Sequence, residues 1–129
     1  MRRFICVIAA IAATALSLAA ADRLPQDTGA PGTWHWLQKL ATTASLMHTT
    51  AHPDDEHGGM LALASRGMGA RVSLVTLTRG EAGDNALGPQ LFDALGLIRT
   101  EELAVSNRYY GVDQQYFTSV VDYGYSKRL

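Results

Sequence analysis

The sequence has almost no cysteine: Cys6 is the only one, and it lies inside an apolar N-terminal run. A disulfide scaffold is therefore excluded, and so is a zinc site built on thiolates; a metal here would have to be held by histidine and carboxylates. A surplus of positive charge is lacking too. Lys and Arg number 11 against 12 Asp and Glu, with no basic cluster, so nucleic acid finds no electrostatic footprint. No P-loop, internal repeat or low-complexity tract occurs outside the N-terminal run. With 129 residues the chain has room for one modest domain and not for two comfortable ones.

What is present begins with an export pattern. Arg2 and Arg3 precede the run FICVIAAIAATALSLAA over residues 4–20, and Ala19-Ala20-Ala21 offers a small-x-small cleavage site before Asp22. Residues 1–21 are thus expected to be a Sec-type signal peptide, placing the remainder in the periplasm or outside the cell. The other reading is an uncleaved anchor, for which the 17-residue run is short against the roughly 20 a spanning helix needs. Either way, contact with a membrane is expected only through this segment. Its removal takes the formal charge from −1 to −3.

Residues 22–44 read as a leader and a short helix. Residues 22–33 (DRLPQDTGAPGT) are rich in Pro, Gly and Asp, as an exposed leader would be. Residues 34–44 place Trp34, Leu37, Leu40 and Ala41 at helical spacing, predicting an amphipathic helix packed on the domain edge through one Trp. A sugar-stacking platform of Trp34 and Trp36 is the other use of such residues.

Residues 45–129 form the expected domain. Residues 45–51 (SLMHTTA) suit a buried strand ended by Pro53, and residues 56–66 a helix closed by Gly67. Residues 70–78 (ARVSLVTLT) give the clearest strand, its apolar run typical of one covered on both faces. A glycine-rich turn follows at residues 79–88. A long helix is expected at residues 89–110, with Leu91, Leu95, Ile98, Leu103 and Val105 on its apolar side and Gly111 as its stop, and a weaker strand at residues 112–117. This βαβαβ order predicts an α/β fold: a Rossmann-like parallel sheet with right-handed crossovers, half of a doubly wound architecture. Three parallel strands alone would leave an exposed edge and an uncovered face.

In such sheets, ligands bind beyond the carboxyl ends of the strands. The run Ala51-His52-Pro53-Asp54-Asp55-Glu56 falls there, with four ionisable residues in five positions. Adjacent carboxylates repel and raise each other's pKa, a conflict that a bound cation removes. A histidine with a carboxylate three residues on is a mixed N/O set suited to zinc, and Asp54 between them would be free to take a proton from a water. Helix capping explains one Asp of the pair, but not His52, Pro53 and the second Asp together.

Residues 51–56 (AHPDDE) resemble the signature of the LmbE/PIG-L family. Further resemblances follow in order: the strand at residues 72–78, the loop Arg79-Gly80-Glu81-Ala82-Gly83 with Asn85, and residues 96–103 (GLIRTEEL), similar to the family's R-x-x-E helix. The likeness spans residues 45 to about 117. It implies a zinc-dependent de-N-acetylase on a Rossmann-like sheet, with Zn²⁺ held by His52 and Asp55, Asp54 as general base, and Arg99 as a substrate contact suited to hydroxyl or phosphate oxygens. Glu102 would orient Arg99 or form an ordinary surface pair with it. Glu81 would touch substrate or be a solvated loop carboxylate. The implied partner is a small molecule or glycan bearing an N-acetyl group; the family's substrates include glycolipids, thiol-cofactor precursors, antibiotic intermediates and oligosaccharides.

The resemblance also implies a third zinc ligand and a catalytic histidine from a later segment. Neither lies before Leu129, and His35, His48 and His57 fit a leader helix, a strand and a helix start better than ligation. The sequence is therefore expected to be an N-terminal fragment, with weak zinc binding and little turnover by itself. Two rivals stay open: a metal-dependent phosphohydrolase, since paired Asp residues also hold Mg²⁺, and a non-catalytic glycan- or metal-binding module.

Overall fold

A computed structural model of the chain describes residues 24–124, so the expected export signal lies outside the described residues. The chain divides into two compact units, Met1–Trp34 and His35–Leu129. Within the first, a 3-10 turn at Pro25–Asp27 leads to helix α1 (Gly29–Leu40), whose later residues belong to the second unit. The helix starts earlier than expected because Pro31 sits in its first turn, where the missing N–H is not needed. Within the second unit, Trp36 is 65% exposed. There the end of α1 is held by polar tips. Gln38 donates to the Gly67 carbonyl at 3.2 Å, and Lys39 pairs with Asp113. No helix among the described residues is long and apolar enough to cross a membrane.

The second unit is a three-stranded parallel sheet in the order β1 (Ser45–Thr50), β2 (Arg71–Thr76), β3 (Gln114–Phe117). It is joined by α2 (Gly58–Ala62), a π-turn over Leu63–Gly67, and α3 (Asp93–Tyr110). This is the expected Rossmann-like α/β arrangement. The register aligns His48, Leu74 and Gln115 on one face and Thr49, Val75 and Tyr116 on the other. The first face is covered: Val72, Leu74 and Thr76 are fully buried, and the core continues through Leu61 of α2 and Leu95 and Leu103 of α3. On the second, Met47 is 67% and Tyr116 48% exposed. The expectation that residues 70–78 are covered on both faces is therefore corrected. Among the described residues helices cover one face, so alternate β2 residues are the buried ones.

The long helix begins at Asp93 rather than 89, after Phe92 in a positive-φ conformation, and buries a narrower stripe than expected. Leu95, Gly96, Leu103 and Asn107 are buried, whereas Leu91, Ile98 and Val105 stay exposed. Its C-terminus is closely capped. Gly111 has φ 78°, the left-handed turn that glycine adopts without strain, and Arg66 donates to the carbonyls of Arg108 and Tyr109. Buried Ser65 donates to the Gly111 carbonyl at 2.5 Å. Beneath the carboxyl end of the sheet, a polar chain runs from Asn107 Nδ2 through Gln115 and Thr76 to Thr50, while the buried Asn107 Oδ1 finds no partner among the described residues.

Candidate active site

Because the strands are parallel, their carboxyl ends share one edge, and the segments after β1, β2 and β3 meet there. Two ladder bonds continue past the strands, Leu77 N–H to Thr50 O and Thr78 N–H to Ala51 O, and hold the first two segments side by side. The His52–Glu56 run then folds tightly on itself. The His52 N–H donates to Asp55 Oδ2 at 2.9 Å, and the Asp54 N–H to Glu56 Oε2 at 2.8 Å. Asp54 has φ 94°, a backbone conformation that residues with a Cβ rarely adopt.

This fold brings the expected metal pair together. His52 Nδ1 lies 3.3 Å from Asp55 Oδ2, and both side chains are partly open to solvent. Two donors on a tetrahedral zinc with bonds of about 2.0–2.1 Å are separated by about 3.3 Å. The donor set and its spacing therefore fit zinc, although no group of three metal-ligating side chains occurs among the described residues. His57 and His48 serve other ends. His57 Nδ1 accepts the Met60 N–H at the start of α2, and His48 Nε2 accepts the His57 N–H.

Arg99 projects from α3 between the first two loops. Its Nη2 lies 2.9 Å from Asp54 Oδ1 and donates to the Pro53 carbonyl at 2.5 Å, while Nη1 donates to the Gly80 carbonyl at 3.5 Å. Gly80, at φ 68°, has no Cβ because that atom would fall on Arg99 Nη1. The contacts orienting Arg99 thus come from loop carbonyls and Asp54. Glu102 lies exposed one turn along α3.

Glu81 is a brace within the loops. Its Oε1 accepts the Asp122 N–H at 3.0 Å and its Oε2 the Arg79 N–H at 2.8 Å. Partial burial pushes its pKa up, but the N–H groups of Asp122, of Glu81 itself and of Arg79 outweigh that and hold it below the ordinary carboxylate value. Arg79 in turn lies over the Phe117 ring at 4.1 Å and donates to Thr100 Oγ1.

The residue that sequence reasoning missed is Asp122, in the segment after β3. Its side chain is 6% exposed, and its Oδ1 lies 3.5 Å from His52 Nε2. Burial raises its pKa, yet the N–H groups of Gly124 and Ala82, and then His52, bring it below the ordinary value. The rule that singled out His52 after the first strand, applied to the third, would have found it. His52, Asp54, Arg99 and Asp122, with Tyr123 and two glycines, line an open cleft of about 470 Å³. Asp54, Arg99 and Glu102 also border a second cleft of about 390 Å³ beside Asn85 and Leu95.

Comparison with known proteins accounts for this arrangement. Residues 47–128 match the family model described as PIG-L, GlcNAc-PI de-N-acetylase. A 1D-myo-inositol 2-acetamido-2-deoxy-alpha-D-glucopyranoside deacetylase of Kineococcus radiotolerans is 38% identical over 92 residues, covering 67% of this chain and 25% of that protein. Deacetylases of the same description from Streptomyces scabiei and Mycobacteroides abscessus are 36% and 42% identical, covering 73% and 56% of this chain. The chain spans between 25% and 30% of the length of these relatives. The family match takes in the His52–Glu56 run, the Arg99 helix and the third-strand segment, and the chain belongs to the PIG-L de-N-acetylase family.

Proposed function

We propose that this chain carries metal-holding and base residues of a zinc-dependent de-N-acetylase site, acting on an N-acetylglucosamine-type sugar joined to a second group, and that residues 1–21 export it. The observation that supports this most directly is the 3.3 Å approach of His52 Nδ1 to Asp55 Oδ2, beside an exposed Asp54 at the mouth of a cleft. The relatives' printed substrate, an acetamido-glucopyranoside of inositol, supports the sugar class.

His52 and Asp55 would hold the metal. When bound, zinc supplies an acidified water and polarises the acetyl carbonyl. Asp54, 77% exposed at its side chain, takes the proton as the water oxygen forms its bond to the acetyl carbon. The C–N bond then breaks, with the proton returned to the leaving nitrogen, giving acetate and a free amine. Arg99 keeps Asp54 aimed and retains N–H donors for sugar hydroxyls or a phosphate. The cleft is wide enough for one sugar ring, with Tyr123 exposed at its edge.

Zinc titration of the 129-residue chain, followed by an acetate-release assay on N-acetylglucosaminyl-inositol, tests this reading. The expected result is one weakly held zinc, lost in His52→Ala, with slow or no turnover. Activity with magnesium and a phosphate ester, or sugar binding without any metal uptake, would overturn it.

A further inference from the structure

A carboxylate faces each nitrogen of His52. Asp55 lies 3.3 Å from Nδ1 and Asp122 lies 3.5 Å from Nε2. The two differ in how firmly they are held. Asp55 is 48% exposed. Asp122 is 6% exposed, with Oδ2 accepting the Ala82 N–H at 3.3 Å and Oδ1 the Gly124 N–H at 3.0 Å, while its own N–H is held by Glu81. It is anchored from the loop after β2 and from its own segment, so it presents a fixed acceptor to an imidazole carried by the loop after β1.

We propose that Asp122 is a positioning residue for His52: it accepts the Nε2–H and so fixes the tautomer in which Nδ1 carries the lone pair. This rests on the zinc reading of the site. A neutral imidazole has one donor and one acceptor nitrogen, so it cannot donate to both carboxylates. The buried, fully anchored carboxylate takes the hydrogen. The Nδ1 lone pair then faces the Asp55 carboxylate 3.3 Å away, a pair of acceptors that a shared cation would stabilise. A metal ligand whose other nitrogen donates to a carboxylate is held in one ring orientation and made more basic, and loss of such a partner weakens metal binding by about 10- to 100-fold. Asp122 is on the wrong side of the ring to be a ligand through the same nitrogen, so it acts on the metal only through His52.

Two readouts test this on the whole chain: imidazole ¹⁵N NMR without metal at pH 8, with His52 assigned by His52→Gln, and zinc affinity by chelator competition. The wild type is expected to show His52 as the neutral Nε2–H tautomer. Asp122→Leu, which removes the acceptor, should lose that preference and bind zinc about 10- to 100-fold more weakly. Asp122→Asn, which keeps an acceptor oxygen, should restore the tautomer and most of the affinity. His52 found as Nδ1–H or doubly protonated in the wild type, or equal zinc affinity in Asp122→Leu, overturns the proposal. Should Asp122→Leu fail to fold, the wild-type and Asp122→Asn spectra decide. A wild type that shows the Nε2–H tautomer but takes up no zinc defeats the metal reading and leaves the orientation of His52 by Asp122 standing.

Discussion

Arg99 Nη2 lies 2.9 Å from Asp54 Oδ1 and at the same time donates to the carbonyl of Pro53, the residue just before it. One guanidinium therefore holds both the side chain and the backbone of the expected general base. Through Gly80 it also ties that loop to the next.

Arg99→Ala should therefore loosen two loops rather than one. Amide exchange is expected to quicken at residues 54–56 and 80–83 while the β2 amides stay protected. Global stability should fall by about 1–2 kcal/mol, since hydrogen bonds from a charged donor are worth more than neutral ones but this cluster is partly solvated. Arg99→Lys should recover less than half of that, because an ammonium lacks the fork that spans two carbonyls. Hydrogen-exchange mass spectrometry and urea denaturation check both.

Zinc uptake separates the roles within the His52–Glu56 run. His52→Ala and Asp55→Ala should each abolish measurable binding, and Asp54→Asn should leave it within a few-fold of wild type. In any preparation that turns over, Asp54→Asn should lower acetate release by about 10²-fold or more, the usual worth of a positioned base. Loss of zinc from Asp54→Asn would mean that this residue is a ligand instead.

Glu81 gives the stability a defined pH dependence. Its folded pKa is lowered by the backbone N–H groups it accepts from, against the opposing effects of burial and the neighbouring Asp122 carboxylate. A carboxyl lowered on folding contributes stability that is complete above its unfolded value, near 4.5, and is lost as pH falls through the folded one. The urea midpoint should thus be flat from pH 8 to about pH 5 and decline below that. Glu81→Gln should decline less steeply in the acid range.

Gly111→Ala tests the cap of α3. The substitution strains a φ of 78° and places a methyl 2.5 Å from Ser65 Oγ, whose hydrogen bond to the Gly111 carbonyl closes the turn. A loss of about 1–3 kcal/mol is expected, read from thermal or urea unfolding.

How much of this was legible in the sequence follows the range of the interactions. The meeting of His52 and Asp55 is local: three residues of tight turn bring them to 3.3 Å, and the order of residue types is enough to expect it. The β2 run and the Gly111 stop are local as well. What failed depended on distant surfaces. The apolar run at residues 70–78 could not show that, among the described residues, helices would cover only one face of the sheet, nor could the spacing of Leu37 and Leu40 show that Gln38 and Lys39 would hold the end of α1. Asp122 lies beyond the carboxyl end of the third strand, where the rule that singles out His52 also points, but its partners Ala82 and His52 come from two other loops that its own segment does not reveal. The backbone carbonyls of Pro53 and Gly80 that the Arg99 fork reaches belong to no spacing rule.

The positive φ of Asp54 sets folding against chemistry at one position. Glycine adopts that conformation freely and would forfeit only a solvent-exposed ion pair, so Asp54→Gly should unfold at a denaturant concentration no lower than wild type. A population of variants selected only for foldedness would drift towards glycine at residue 54 and lose the carboxylate proposed as the base; one selected for acetate release would keep the strained residue. The two selections, run on the same library, should part company at this position before any other in the loop.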